Sequence, residues 1–199
     1  MRSRSDHSPR GGGSTLRIVA GTLRGSRLEV VDADGLRPTS DRIRETLFNW
    51  LTPVIDGARC LDLFAGTGAL GIEAMSRGAR ECVFVERDRT LAKMMAENLA
   101  RLKVADARVV NADALGWLTI EPSAFDIVFL DPPFSTDLWT PAAQRLEDGG
   151  WLQADAWIYV ETPALGIPWL PANWHEHRVG QAGNVRYVLY RRAQRDPLS

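Results

Sequence analysis

Between Ala58 and Val160 the chain alternates short apolar runs with amphipathic stretches, and this alternation constrains the fold more than any other feature. Apolar runs at Ala58 to Phe64, Glu81 to Glu86, Ala107 to Val110, Phe125 to Leu130 and Ala156 to Val160 read as strands. Helical spacing fills the gaps at Ala69 to Arg77, Arg89 to Leu102 and about Pro141 to Leu146. Such a β-α repeat requires a mostly parallel sheet with helices on both faces. At 199 residues there is room for one good core, so a single domain with an appendage is expected.

The two ends depart from this repeat. Leu16 to Val31 alternates apolar and polar residues around a glycine-containing centre, which predicts a β-hairpin. Arg37-Pro38-Thr39-Ser40-Asp41 offers an extended step and N-cap candidates. Ile43, Leu47, Trp50 and Leu51 then mark the apolar stripe of a helix flanked by Arg42 and Arg44. His175 to Val179 and Val185 to Arg191 surround a Gly-Gln-Ala-Gly-Asn turn and predict an antiparallel hairpin at the end of the sheet. The organisation is therefore a flexible basic tail over 1–15, a hairpin arm over 16–35 and the main domain over 36–199.

Charge is unevenly spread. The net charge is −1, yet residues 1–30 hold six arginines against two acids, and residues 178–199 hold five against one. The middle is acidic, and the ends can form a positive footprint on it. No apolar run approaches a membrane span, and the tail lacks the apolar segment of a secretion signal. Cys60 and Cys82 sit among apolar residues as core filler, which fits a reducing cytoplasm, and no Cys/His spacing resembles a zinc site. His175-Glu176-His177 lacks a third ligand and reads as surface strand, so no metal is expected.

In a doubly wound sheet, ligands bind beyond the carboxyl ends of the strands. Four motifs stand there: Asp62 to Gly71, Glu86, Asn111-Ala112-Asp113, and Asp131-Pro132-Pro133-Phe134. Gly66 to Gly71 spells G-x-G-x-x-G, and Glu86 is placed to accept hydrogen bonds from ribose hydroxyls. Both features suit NAD as well as any other adenosine. Asp62 puts a carboxylate where a pyrophosphate would lie, and so suits the positive amino-acid end of S-adenosylmethionine better. The two prolines stiffen the loop around Asp131. Acceptors there can hold an exocyclic amine with its lone pair aimed at an electrophile, while Phe134 stacks on the ring that bears it.

The runs L-D-L-F-A-G-T-G-A-L-G-I-E-A, V-E-R-D and F-L-D-P-P-F resemble the motifs of class I S-adenosylmethionine-dependent methyltransferases acting on exocyclic amines. More narrowly, R-I-V-A-G-T-L-R-G, L-R-P-T-S-D-R-I-R-E-T-L-F-N-W-L and Y-V-L-Y-R-R resemble the RsmD family of 16S ribosomal RNA guanine-N2 methyltransferases. The resemblance runs from about Leu16 to Arg192. It implies a Rossmann-like, seven-stranded, mostly parallel sheet with an antiparallel C-terminal strand and a small N-terminal hairpin that touches RNA.

It also implies S-adenosyl-L-methionine as cofactor and 16S rRNA in the small ribosomal subunit as partner, with a cytoplasmic monomer, no membrane and no metal. The implied cofactor set is Asp62, Phe64, Ala65, Gly66, Gly68, Glu86, Arg87, Asp113 and Ala114. Asp131, Pro132, Pro133 and Phe134 form the catalytic set. The RNA set is Arg17, Arg24, Arg27, Arg37, Thr39 and Arg42. Two other readings of the same residues are a methyltransferase of adenine N6 or of a protein glutamine, and an RNA-binding assembly factor without turnover.

Overall fold

The computed structural model describes residues 14–30 and 40–193. Two short strands, β1 (Ser14–Arg17) and β2 (Arg27–Val30), pair antiparallel, and α1 (Asp41–Leu51) follows. The α/β repeat then runs β3 (Arg59–Asp62), α2 (Ala69–Ser76), β4 (Glu81–Glu86), α3 (Arg89–Arg101), β5 (Ala107–Asn111), α4 (Ala114–Trp117), β6 (Phe125–Leu130), α5 (Trp139–Asp148) and β7 (Leu152–Pro163). The antiparallel pair β8 (Trp174–Ala182) and β9 (Val185–Arg192) follows as the last of the described elements. The large sheet has seven strands in the order β5-β4-β3-β6-β7-β9-β8. Its first five strands are parallel, and β9 inserts antiparallel between β7 and β8.

Strand order reverses between β3 and β6, so a crevice opens at their carboxyl ends. Apolar residues bury themselves on both faces of the sheet. One cluster joins Cys60, Phe84, Phe129 and Tyr159 to the hairpin, α1, α2 and α3; the other joins Leu61, Val83, Val128 and Ile158 to α4 and α5. Cys60 and Cys82 are buried neighbours on β3 and β4, and burial pushes both thiols up, so they stay protonated as core filler. No helix of the described residues is long and apolar enough to cross a membrane.

The local signals account for the helices. Ser40 caps α1 by accepting from the Ile43 amide, and Asp88 caps α3 by accepting from Thr90 and Leu91. Helix α5 is longer than the expected Pro141 to Leu146 because Trp139 at its start and Leu146 near its end both bury. The one-turn α4 is too short to leave a periodic pattern. Arg44 is corrected: it does not flank the α1 stripe at the surface but is fully buried, donating to Asp41 and to the Arg17 carbonyl.

The hairpin begins at Ser14, within the segment expected as tail, and 31–35 lie outside the described residues. Its strands are four residues each, and the chain between them turns back against α2. Val19 and Ala20 amides donate to the fully buried Glu73 at 2.8 and 3.0 Å, and Leu23 donates to Ser76. Asn98 of α3 exchanges two hydrogen bonds with the backbone of Glu29. Leu16, Ile18, Leu28 and Val30 are buried in the main core, so the hairpin is docked rather than free-standing.

The last glycine of the G-x-G-x-x-G run serves packing. A Cβ at Gly71 would stand 2.2 Å from the Phe84 ring and 2.8 Å from Cys82 Sγ, so α2 can lie this close to β4 only with glycine there. Gly71→Ala is expected to destabilise the protein by about 1–3 kcal/mol through overpacking. Urea denaturation checks this, and an unchanged midpoint would show that α2 is free to shift.

Candidate cofactor and acceptor site

The parallel register gathers the polar motifs. Asp62 pairs with Phe84 of β4 and Phe129 of β6, and Phe129 pairs with Tyr159 of β7. Side chains alternate along a strand, so Glu86, Asp131 and Glu161, each two residues further on, fall on the same face of the sheet as Asp62. All four carboxylates line one cavity of about 750 Å³, within the range of small-molecule sites. Leu91, Ala112 and Ala114 add apolar wall.

The glycine loop is held by these carboxylates. The Gly66 amide donates to Glu86 Oε2 at 2.8 Å, and the Gly71 amide donates to Asp62 Oδ2 at 3.0 Å. Glu86 Oε1 also accepts from the Asp88 amide. A pyrophosphate cradle needs such N–H groups for the phosphates and no negative charge beside them. Here two carboxylates occupy that place, so the loop suits a cationic ligand. Burial pushes the Asp62 carboxyl up to about 7, against the pull of the Gly71 amide, with Glu86 adding to the rise.

Of the cofactor set, Asp62, Phe64, Ala65, Gly66, Glu86, Arg87, Asp113 and Ala114 line the cavity. Gly68 does not. It caps α2 in the left-handed region at φ +78°, and a Cβ there would meet Met95 Sδ at 2.8 Å, so its glycine is a backbone requirement. Asp113 also caps α4 through the Gly116 amide. Glu86 is braced by two amides as well as facing the cavity, a double duty that spacing alone does not reveal.

Asp131, Pro132, Pro133 and Phe134 all line the same cavity. Phe134 is 40% exposed, with Trp139 at 6.0 Å between ring centroids, and presents an open aromatic surface. Glu161 and Asp88 are cavity carboxylates outside the sets expected from the sequence, and Asp88 is spent in part on capping α3. Glu161 lies inside β7, between Val160 and Thr162, and the β6–β7 register brings it to the site.

The RNA set divides. Arg17, Arg24, Arg27 and Arg42 are exposed on the hairpin and α1, outside the cavity, whereas Arg37 and Thr39 lie outside the described residues. Arg192, at the basic C-terminal end, is engaged by the buried Glu147. His175 and His177 are exposed on β8, and His177 stands edge-on to Trp157. Among the described residues no group of three or more His, Cys, Asp or Glu side chains is arranged to hold a metal.

Comparison with known proteins places the chain in a family. The family described as conserved hypothetical protein 95 matches residues 16–191. Ribosomal RNA small subunit methyltransferase D of Escherichia coli K12 is 50% identical over 182 residues, which cover 91% of this chain and 92% of the relative. The protein of the same description from Haemophilus influenzae is 45% identical over 179 residues, covering 88% and 93%. A solved methyltransferase structure from Escherichia coli superposes with a TM-score of 0.86 at 47% identity, covering 92% of this chain and 100% of that one. By matched span, identity and shared fold, the chain belongs to the RsmD family of ribosomal RNA small subunit methyltransferases.

Proposed function

We propose that the chain transfers the methyl group of S-adenosylmethionine to the exocyclic N2 of a guanine in 16S rRNA, presented by the small ribosomal subunit in the cytoplasm. The observation that carries this reading is one cavity lined by both a carboxylate-braced glycine loop and Asp131 to Phe134. The names of the relatives point to the same RNA.

The residues present fit that cofactor. Asp62 is placed to pair with an ammonium group, Glu86 to accept from ribose hydroxyls, and Phe64, Ala112 and Ala114 to enclose a flat ring. When bound, the cofactor supplies a methyl group made electrophilic by its sulfonium. The chain supplies orientation. Asp131 accepts one hydrogen of the target amine, the Pro132 carbonyl accepts the other, and Phe134 stacks on the base. Once N2 carries its fourth substituent it is acidic enough to lose a proton to water, so no general base is required. Arg17, Arg24, Arg27 and Arg42 are placed to neutralise phosphates outside the cavity.

Labelled methyl transfer to small subunits lacking the modification, followed by digestion to nucleosides and mapping, tests the reading. Label is expected in N2-methylguanosine, and Asp131→Ala is expected to reduce it about 100-fold or more, as for other lost orienting contacts. Label in another nucleoside or in protein would overturn the acceptor, and none at all would favour an assembly factor.

Asp62 gives a pH test. Its carboxyl in the free protein sits near 7, above the ordinary 3.8. Pairing with a cation needs the charged form, so calorimetry should find cofactor affinity falling about tenfold per pH unit as pH drops below 7. In the free protein the raised value has the opposite sign: stability contributed by the protonated form is lost as pH rises from about 4 through about 7. Asp62→Asn should flatten both dependences. A cofactor affinity of unchanged pH dependence in that variant would remove Asp62 from the ammonium site.

Deleting residues 1–30 would remove part of the core, so the RNA footprint is tested by substitution. Replacing Arg17, Arg24 and Arg27 by serine should weaken RNA binding and lower the salt slope by about three. An unaltered slope in a filter-binding salt series would return these side chains to the solvated surface.

A further inference from the structure

Glu161 is a cavity carboxylate that the reaction above does not use. Leu130 of β6 stands beside Val160 of β7, so the next step of that parallel register brings Asp131, just past the end of β6, beside Glu161 of β7. Glu161 is 6% exposed and lines the cavity with Asp131. Its Oε2 accepts from the Tyr159 hydroxyl at 2.8 Å, and its carbonyl accepts from Trp139 Nε1 at 2.7 Å. Burial, with the carboxylates of Glu161 and Asp131 nearby, keeps the Tyr159 hydroxyl protonated and therefore a donor. A carboxylate oxygen accepts more than one hydrogen bond, so Tyr159 can orient the group while leaving it able to serve a ligand.

The edge of guanine that carries the N2 amine also carries a donor, N1–H, directly beside it. Adenine and 2-aminopurine have a lone pair at N1 instead. Two neighbouring carboxylates therefore match two neighbouring donors, and the second would face a lone pair on any base lacking N1–H. We propose that Glu161 accepts the N1–H of the target guanine, beside the N2 amine held at Asp131, and so makes the pocket specific for guanine. This rests on the guanine reading above and gives that reading its selecting residue. Tyr159 acts through Glu161, as a positioning residue.

The test uses the full chain and small subunits reconstituted with 16S rRNA carrying either guanosine or 2-aminopurine at the mapped position. Both bases offer the same exocyclic amine. Wild type is expected to methylate guanosine with a kcat/KM about 100-fold above 2-aminopurine, because the analogue leaves a buried acceptor facing a lone pair. In Glu161→Gln the amide oxygen stays on the Tyr159 hydroxyl and the amide N–H turns to the base. Guanosine methylation should then fall about 100-fold and the gap between the bases close to within about tenfold, with cofactor affinity by calorimetry unchanged.

Equal use of both bases by wild type overturns the inference, and that measurement stands even where the variant fails to fold. A folded Glu161→Gln that keeps the wild-type preference overturns it too. Absence of N2-methylguanosine from wild type with guanosine instead overturns the guanine reading itself, a separate and distinguishable result.

Discussion

The pairing of β3 with β4 on one side and β6 on the other decides where Asp62, Glu86 and Asp131 lie, and the pairing of β6 with β7 adds Glu161. A slip of one residue in either β3 pairing would turn Glu86 or Asp131 to the opposite face. The register is held by apolar side chains on both faces, Cys60, Phe84 and Phe129 on one and Leu61, Val83 and Val128 on the other. Core packing and site geometry are thus one constraint. Gathering carboxylates in a partly dry cavity opposes stability, and the Gly66 and Gly71 amides offset part of that cost. Burial first, and then the neighbouring Glu86, keeps the Asp62 carboxyl raised to about 7 in the free protein.

The hairpin depends on the same framework. Glu73 is fully buried, and its carboxylate joins the Val19 and Ala20 amides to Arg77. Gly21 lies so near α2 that a Cβ would stand 1.9 Å from the Ser76 carbonyl. Arg44 adds a second clamp by reaching from α1 to the Arg17 carbonyl. The exposed arginines of the hairpin are therefore held on the body that carries the cavity, rather than on an independent arm.

Most of the α/β repeat was legible because each strand is bounded by turn chemistry and each helix has a cap or a stripe. The strands at Glu81–Glu86 and Phe125–Leu130 match the expected bounds at both ends. The motifs were legible for a related reason: Asp62 and Glu86 end β3 and β4 and Asp131 directly follows β6, where polar residues interrupt apolar runs. Glu161 directly follows the expected strand at Ala156 to Val160 but no motif accompanies it, and the strand in fact continues through it to Pro163. Buried Arg44 and Glu73 were hidden for a different reason. Their burial depends on the docked hairpin, a contact between residues more than fifty positions apart for Glu73, which no local period encodes.

The G-x-G-x-x-G spelling was ambiguous because glycine reports backbone needs and not ligand charge. Gly68 supplies a left-handed cap and Gly71 a close helix–strand approach, and both would serve a dinucleotide fold equally well. What separates the ligands is the acid around the loop. An acidic cavity also repels phosphate, so on the proposed reaction the RNA backbone must stay outside while a single base enters. The exposed arginines of the hairpin and α1 lie outside the cavity, where a backbone held back in this way would run. On that proposal the uneven charge of the chain divides the labour: the arginines would hold the strand, and the carboxylate row would admit the cofactor's cation and the donor-rich edge of one extruded base.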